Sequence, residues 1–200
     1  MKPNNVLVYG VGFYGIGHYK AKENGKNLKQ YEVWRKMLQR CYDPKYHQKY
    51  PTYIDCEVCE EWHNYQNFAK WFDENYYEID GEKMCFDKDI IIKGNKIYSP
   101  ETSVFVPQRI NKLFTKRQNY RGKYPVGVTF HKQSNSFRAN ISNGSGKMIT
   151  LGNHKTPEDA FESYKVEKEK LIKTIANEYK GIIPDVVYDS LMNYEVEITD

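Results

Sequence analysis

VGVTFHKQ (126–133), SFRANISN (136–143) and MITLGNH (148–154) stand in a row, and TPEDAFESYKVEKEKLIKTIANEY (156–179) follows them. Each of the first three is short, rich in β-branched or aromatic residues and bounded by polar or glycine turns, which predicts three antiparallel strands. In the middle one Phe137, Ala139 and Ile141 alternate with Arg138 and Asn140, so the pleat places the two polar side chains opposite the three apolar ones. The fourth stretch opens like a helix, with Thr156 as capping hydroxyl, Pro157 at the first helical position and Glu158 and Asp159 in the first turn. It should run to about Tyr179 with Ala160, Phe161, Tyr164, Leu171, Ile172 and Ile175 facing inward, and Gly181 and Pro184 stop it ahead of a short final helix. A three-stranded antiparallel sheet packed on one long helix is an α+β arrangement.

Around these strands the charge is uneven. Between Thr102 and Pro157 there is no Asp or Glu, yet there are ten Lys and Arg residues; elsewhere 20 basic residues face 26 acidic ones, so the overall +4 conceals a basic segment on an acidic body. At the chain's average acid content this run would hold about seven carboxylates. Such a field selects a polyanion. Arg109, Lys112, Lys116, Arg117, Arg121 and Lys123 lead up to the strands and are candidate DNA contacts, with the linker TKRQNYRGKYP (115–125) lying on phosphate rather than hanging free. Tyrosine is abundant, 18 against 9 Phe, and supplies rings with an apolar face and a hydrogen-bonding tip.

The N-terminal part has a different texture. In NVLVYGVGFYGIGHY (5–19), Gly10, Gly12 and Gly15 have the spacing of a dinucleotide-binding loop. The polar KAKENGKN (20–27) behind them opens no helix, so a glycine-punctuated arm or hairpin over 1–28 is expected instead. From Lys29 to Cys41, Tyr31, Val33, Trp34, Met37, Leu38 and Cys41 fall on one helical face, and a second helix over Tyr65–Asn75 would bury Phe68, Trp71 and Phe72. MCFDKDIII (84–92), the turn KGNK, IYSPETSVFVP (97–107) and QRINKLF (108–114) read as strand, loop, strand and short helix. Domains over 1–120 and 121–200 follow. The start of the chain lacks the pattern of an export signal and no stretch suits a bilayer, so a cytoplasmic protein without membrane contact is expected, with its four cysteines reduced.

Gly127-Val128, the Phe137–Ile141 run, Leu151-Gly152, and Thr156, Ala160 and Tyr164 on the helix together resemble the DNA-binding domain of plant ethylene-response factors, the APETALA type, which also occurs beside nuclease domains in phages. The resemblance implies a sheet face lying in the major groove of double-stranded DNA. By position its base and phosphate contacts would be Lys132 on the first strand, Arg138 and Asn140 on the second, and Lys147 in the turn. The chemistry agrees, since Arg pairs bidentately with guanine and Asn with adenine. Phe137 stands where the plant members have Trp, so their base specificity does not carry over.

YEVWRKMLQRCYDP (31–44), CEVCEEWHNYQNF (56–68) and FDKDIIIKGNKIYSPETSVFVPQRIN (86–111) resemble phage HNH-type homing endonucleases, in which a Trp-x-x-Met helix precedes a ββα-metal motif. The resemblance implies a DNA endonuclease using magnesium or manganese. Asp87 and Asn111 would hold the ion, Lys88 stands at the usual base histidine, and Thr102 stands where an Asn orients that base. Two oxygen ligands suit a hard divalent cation. Lysine beside Asp87 and Asp89 is a poor base, so another base such as His63, or a scaffold that no longer cuts, are the alternatives. Cys56-x-x-Cys59 is one close pair where a zinc ribbon has two, so buried apolar thiols are expected ahead of structural zinc. A phage or mobile-element HNH-like endonuclease that recognises DNA is the favoured function. The alternative is an inactive DNA-binding regulator or host-defence-interfering protein, with a homodimer or a protein partner left open.

Overall fold

The computed structural model describes residues 7–115, 123–143, 147–198 and 200. Lys116, Arg117 and Arg121 lie outside the described residues. The fold is α+β and divides into two compact units, residues 1–106 and 107–200. Among the described residues no helix is long and apolar enough to cross a membrane.

The first unit is organised by aromatic packing. Helix α1 (Lys29–Tyr42) buries Tyr31, Trp34, Met37, Leu38 and Cys41, the stripe its spacing predicts. It lies against α3 (Tyr65–Asn75), which buries Tyr65, Phe68, Ala69 and Phe72, and the Trp34 indole donates to the Trp62 carbonyl at 2.7 Å. Between them α2 (Pro44–Lys49) starts at Asp43, whose side chain accepts from the Lys45 amide. Ahead of α1, β1 (Lys22–Glu23) and β2 (Lys26–Asn27) form the hairpin of the arm, turning at Asn24 and Gly25, both at positive φ. The glycines that imitate a nucleotide loop have another cause. A Cβ on Gly12 would stand 2.4 Å from Leu38 and 2.8 Å from Trp34, on Gly15 2.1 Å from Asn64, and on Gly17 2.2 Å from Gln66. They let the arm's backbone lie directly on α1, Asn64 and α3.

Strand β3 (Glu57–Val58) pairs in parallel with β5 (Ile97–Tyr98), and β4 (Met84–Asp87) pairs with β6 (Val104–Pro107). Helix α4 (Gln108–Asn111) follows, and Lys112 to Phe114 continue it only as turns. The expected order of strand, loop, strand and helix is present across 84–114. The division between units falls inside it, before α4, rather than at 120/121.

In the second unit β7 (Val128–His131), β8 (Ser136–Ser142) and β9 (Met148–His154) form an antiparallel sheet in the order β7-β8-β9. Helix α5 (Pro157–Glu178) packs on it through buried Ala160, Phe161 and Tyr164, with Ile172, Ile175 and Ala176 buried further along. The Thr156 hydroxyl accepts from the Asp159 amide at 3.1 Å, the cap that the sequence announces. Helix α6 (Asp185–Met192) closes the chain against α5. Lys132 is not on the first strand as expected. The strand ends at His131 and Lys132 opens a single 3₁₀ turn, because Asn135 takes a left-handed conformation to reverse the chain into β8.

The segment after β6 is tied into this second unit. Phe114 packs against Tyr194 at a tilt with centroids 4.8 Å apart, and Lys168 of α5 donates to the Leu113 carbonyl at 2.8 Å. Burial pushes the Lys168 amine from 10.5 down to about 8, against a partial opposing pull from Asp200. The unfolded chain keeps that proton to a higher pH than the folded one, so the contribution of Lys168 to stability should rise as pH goes from about 8 to about 10.5. Urea unfolding across this window should show the wild type gaining stability relative to Lys168→Met as pH rises. Parallel curves would disprove it.

Candidate nucleic-acid interface

Register turns the alternation along β8 into a surface. Val128, Ala139 and Gly152 lie side by side on the helix-facing side, where Val128, Ala139 and Ile141 are buried. The next row, Thr129, Arg138 and Asn153, points the other way, as do Asn140 and Thr150. A bulge at Ala139/Asn140 makes Leu151 the extra residue on β9, which is why Asn140 meets Thr150 while Ala139 meets Gly152.

These outer side chains bond across all three strands. Arg138 Nε donates to Asn153 Oδ1 at 3.2 Å, which leaves its two terminal nitrogens outside that bond. Asn140 Nδ2 donates to the Thr129 hydroxyl at 3.0 Å, and the Thr150 hydroxyl donates to Asn140 Oδ1, also at 3.0 Å. Both ends of the Asn140 amide are engaged, so pairing with adenine would require giving up two bonds. The terminal nitrogens of Arg138 stand outside these bonds, and Asn140 is the strut between the strands. Of the sequence candidates the sheet brings together only Arg138 and Asn140; Thr129, Thr150 and Asn153 join them unforeseen. Alternation would have placed each on one face of its own strand, but the match between strands depends on the bulge.

The other candidate cations differ in availability. Lys112, Lys123, Lys132 and Lys147 are exposed. Arg109 forms a two-pronged ion pair with Glu178, its second nitrogen at 3.1 Å, and its guanidinium lies 6.0 Å from the Tyr179 ring. A carboxylate from beyond the acid-free run is thus returned to it, and Arg109 is held within the second unit.

Of the residues expected to do chemistry, Asp87 ends β4 and Lys88 opens the loop after it. Asp87 Oδ1 accepts from the amides of Asp89 and Ile90, both at 2.9 Å. Burial and the neighbouring Asp89 carboxylate push the Asp87 carboxyl up to about 6, more than those two bonds lower it. Lys88 is buried, and its Nζ donates to the Asn95 carbonyl at 2.7 Å and to Asp89 at 3.3 Å. Asn95 returns its amide to the carbonyls of Lys88 and Ile97, both at 2.7 Å. Lys88 is a strut closing residues 88–97. Thr102 donates to the Ile97 carbonyl at 2.7 Å, another loop bond. Nε2 of His63 lies 3.1 Å from the Val58 carbonyl, so that nitrogen carries the proton.

Asp87 belongs to the first unit and the half-buried Asn111 to the second. Among the described residues no group of three or more His, Cys, Asp or Glu side chains could hold a metal ion. Cys41 and Cys56 are buried in the aromatic core, where burial pushes the Cys41 thiol up to about 12 and raises Cys56 and Cys59 as well. No family model, curated protein or solved structure matches the chain.

Proposed function

We propose that this chain binds double-stranded DNA through the outer face of its three-stranded sheet, and that it is a phage or mobile-element protein built on an HNH-like scaffold. One observation carries the reading. The outer face presents a single ionic side chain, Arg138, set by Asn153 and surrounded by Thr129, Asn140 and Thr150, inside a run of sequence without a carboxylate. A ribbon of this width enters the major groove, and an arginine held at Nε offers two donors to the O6 and N7 of guanine. Phosphate contacts fall to Lys123, Lys132 and Lys147, and to the linker cations Lys116, Arg117 and Arg121. Selection from random-sequence duplexes should enrich a motif containing guanine, and affinity should fall steeply with salt. Recovery of unenriched sequence, or affinity indifferent to salt, would sink the reading.

The first unit is read here as a scaffold that no longer hydrolyses DNA, because Lys88 closes a loop where a base would activate water. Hydrolysis is the second reading, and the Asp87–Asp89 pair favours it: magnesium or manganese would offset the burial and the Asp89 repulsion that raise Asp87. Supercoiled plasmid decides between them. Wild type and Asp87→Ala should leave the plasmid equally intact with either metal, whereas nicking by wild type alone would establish the nuclease.

A further inference from the structure

Ile16 is fully exposed. It stands at the tip of a loop that is firmly held. Gln66 of α3 accepts from the Tyr19 amide at 2.9 Å and donates to the carbonyls of Tyr14 and Tyr19 at 3.2 and 3.0 Å, so one side chain staples both ends of the loop. Phe13 is bonded on either side, its amide to the His63 carbonyl and its carbonyl to the Tyr65 amide, both at 2.9 Å. Gly15 and Gly17 flank the tip and lie too close to Asn64 and Gln66 to carry a Cβ. A branched apolar side chain is thereby held in water, exposed among the described residues.

The charge around the loop points to its occupant. The first 31 residues contain five Lys and a single Glu, a second basic stretch in an otherwise acidic unit. Lys20 is near Glu23, and Lys29 is engaged by Tyr76 and Glu78. Lys22 and Lys26 remain exposed on the β1–β2 hairpin beside the loop. Desolvation and then the Asp73 and Glu74 carboxylates raise the Tyr19 hydroxyl, so acid lies at the loop's far end and the cations lie on the hairpin. One protruding apolar residue beside a cationic hairpin has the makings of a wedge that enters a base step from the minor groove and unstacks it.

We propose that the N-terminal arm is a second DNA contact, in which Ile16 inserts between stacked base pairs while Lys22 and Lys26 hold the backbone. The inference rests on duplex binding by the sheet, and the two can fail separately. Full-length protein is titrated into duplexes of the selected sequence carrying 2-aminopurine at successive positions. Wild type should raise the fluorescence at one step, reporting unstacking. Ile16→Ala should abolish that rise and weaken binding roughly ten- to fiftyfold, the loss from burying three fewer carbon atoms. Gln66→Ala, checked for an unchanged fold by circular dichroism, should lose the rise although Ile16 is retained. Arg138→Ala should change which duplex is preferred and keep the unstacking on whatever duplex it binds. If wild type binds the duplex and Ile16→Ala matches it in both readouts, the arm inference falls and the sheet reading stands. If wild type does not bind duplex DNA at all, both fall.

Discussion

Arg138→Ala is expected to lower affinity for the preferred duplex roughly ten- to a hundredfold and to erase preference at one base pair, the discrimination that a bidentate arginine–guanine pair provides. The position should be sensitive because Asn153 fixes the guanidinium through Nε before DNA arrives. Less side-chain entropy is then lost on binding. Arg138→Lys should recover little, since a single ammonium cannot donate to Asn153 and at the same time present two parallel donors to a guanine. Asn153→Ala should weaken preference for the guanine more than it weakens binding to unrelated duplex. Arg109→Ala is the contrasting control: its ion pair with Glu178 holds it within the unit, and duplex affinity should change little. Equal losses for Arg138→Ala on every sequence would reduce Arg138 to a phosphate contact.

Gly127→Ala should be the most damaging single change in the second unit. Gly127 has φ +76°, and a Cβ there would fall 2.1 Å from Cδ2 and 2.4 Å from Cγ of Tyr164, inside the ring that seats α5 on the sheet. The left-handed backbone costs a side-chain-bearing residue roughly 1–2 kcal/mol, and displacing a packed aromatic ring adds about as much again. For a unit of this size that is a fall in melting temperature of about 10–20 °C. The Gly127 carbonyl also accepts the Asn140 amide at 2.8 Å, so a shifted turn would disturb the β8 strand that carries Arg138. In the double variant Gly127→Ala/Tyr164→Ala the collision is gone and only the backbone strain and the lost ring remain, so the two losses should sum to more than the double shows. Full additivity in thermal unfolding would mean that the ring is not what Gly127 makes room for.

Much of the architecture was legible in local patterns. The stripe of Trp34, Met37 and Leu38, the cap at Thr156 with Pro157 behind it, and the alternation through Phe137, Arg138, Ala139, Asn140 and Ile141 each depend on neighbours a few residues away, and each appears as expected. What depended on distant partners was not legible. Glu178 is 69 residues from Arg109, and nothing near Arg109 announces it. Asn153 and Thr150 join the outer face through a bulge that cannot be counted along one strand. Lys88 reads as a misplaced base until the Asn95 carbonyl is seen beneath its amine. Of Gly10, Gly12 and Gly15, which have the spacing of a phosphate loop, Gly12 and Gly15 are there because close backbone approach needs glycine whether the neighbour is a pyrophosphate or, as here, Leu38 and Asn64.

Amide chemical-shift mapping of the ¹⁵N-labelled full chain, titrated with a short duplex at low salt, tests DNA binding by the sheet most directly. Perturbation should concentrate at Thr129, Arg138, Asn140, Thr150 and Asn153, with buried Ala160 and Ile172 on α5 unmoved. Shifts confined to α5 and α6, or none on the outer face of β7, β8 and β9 under conditions where the duplex is bound, would contradict it.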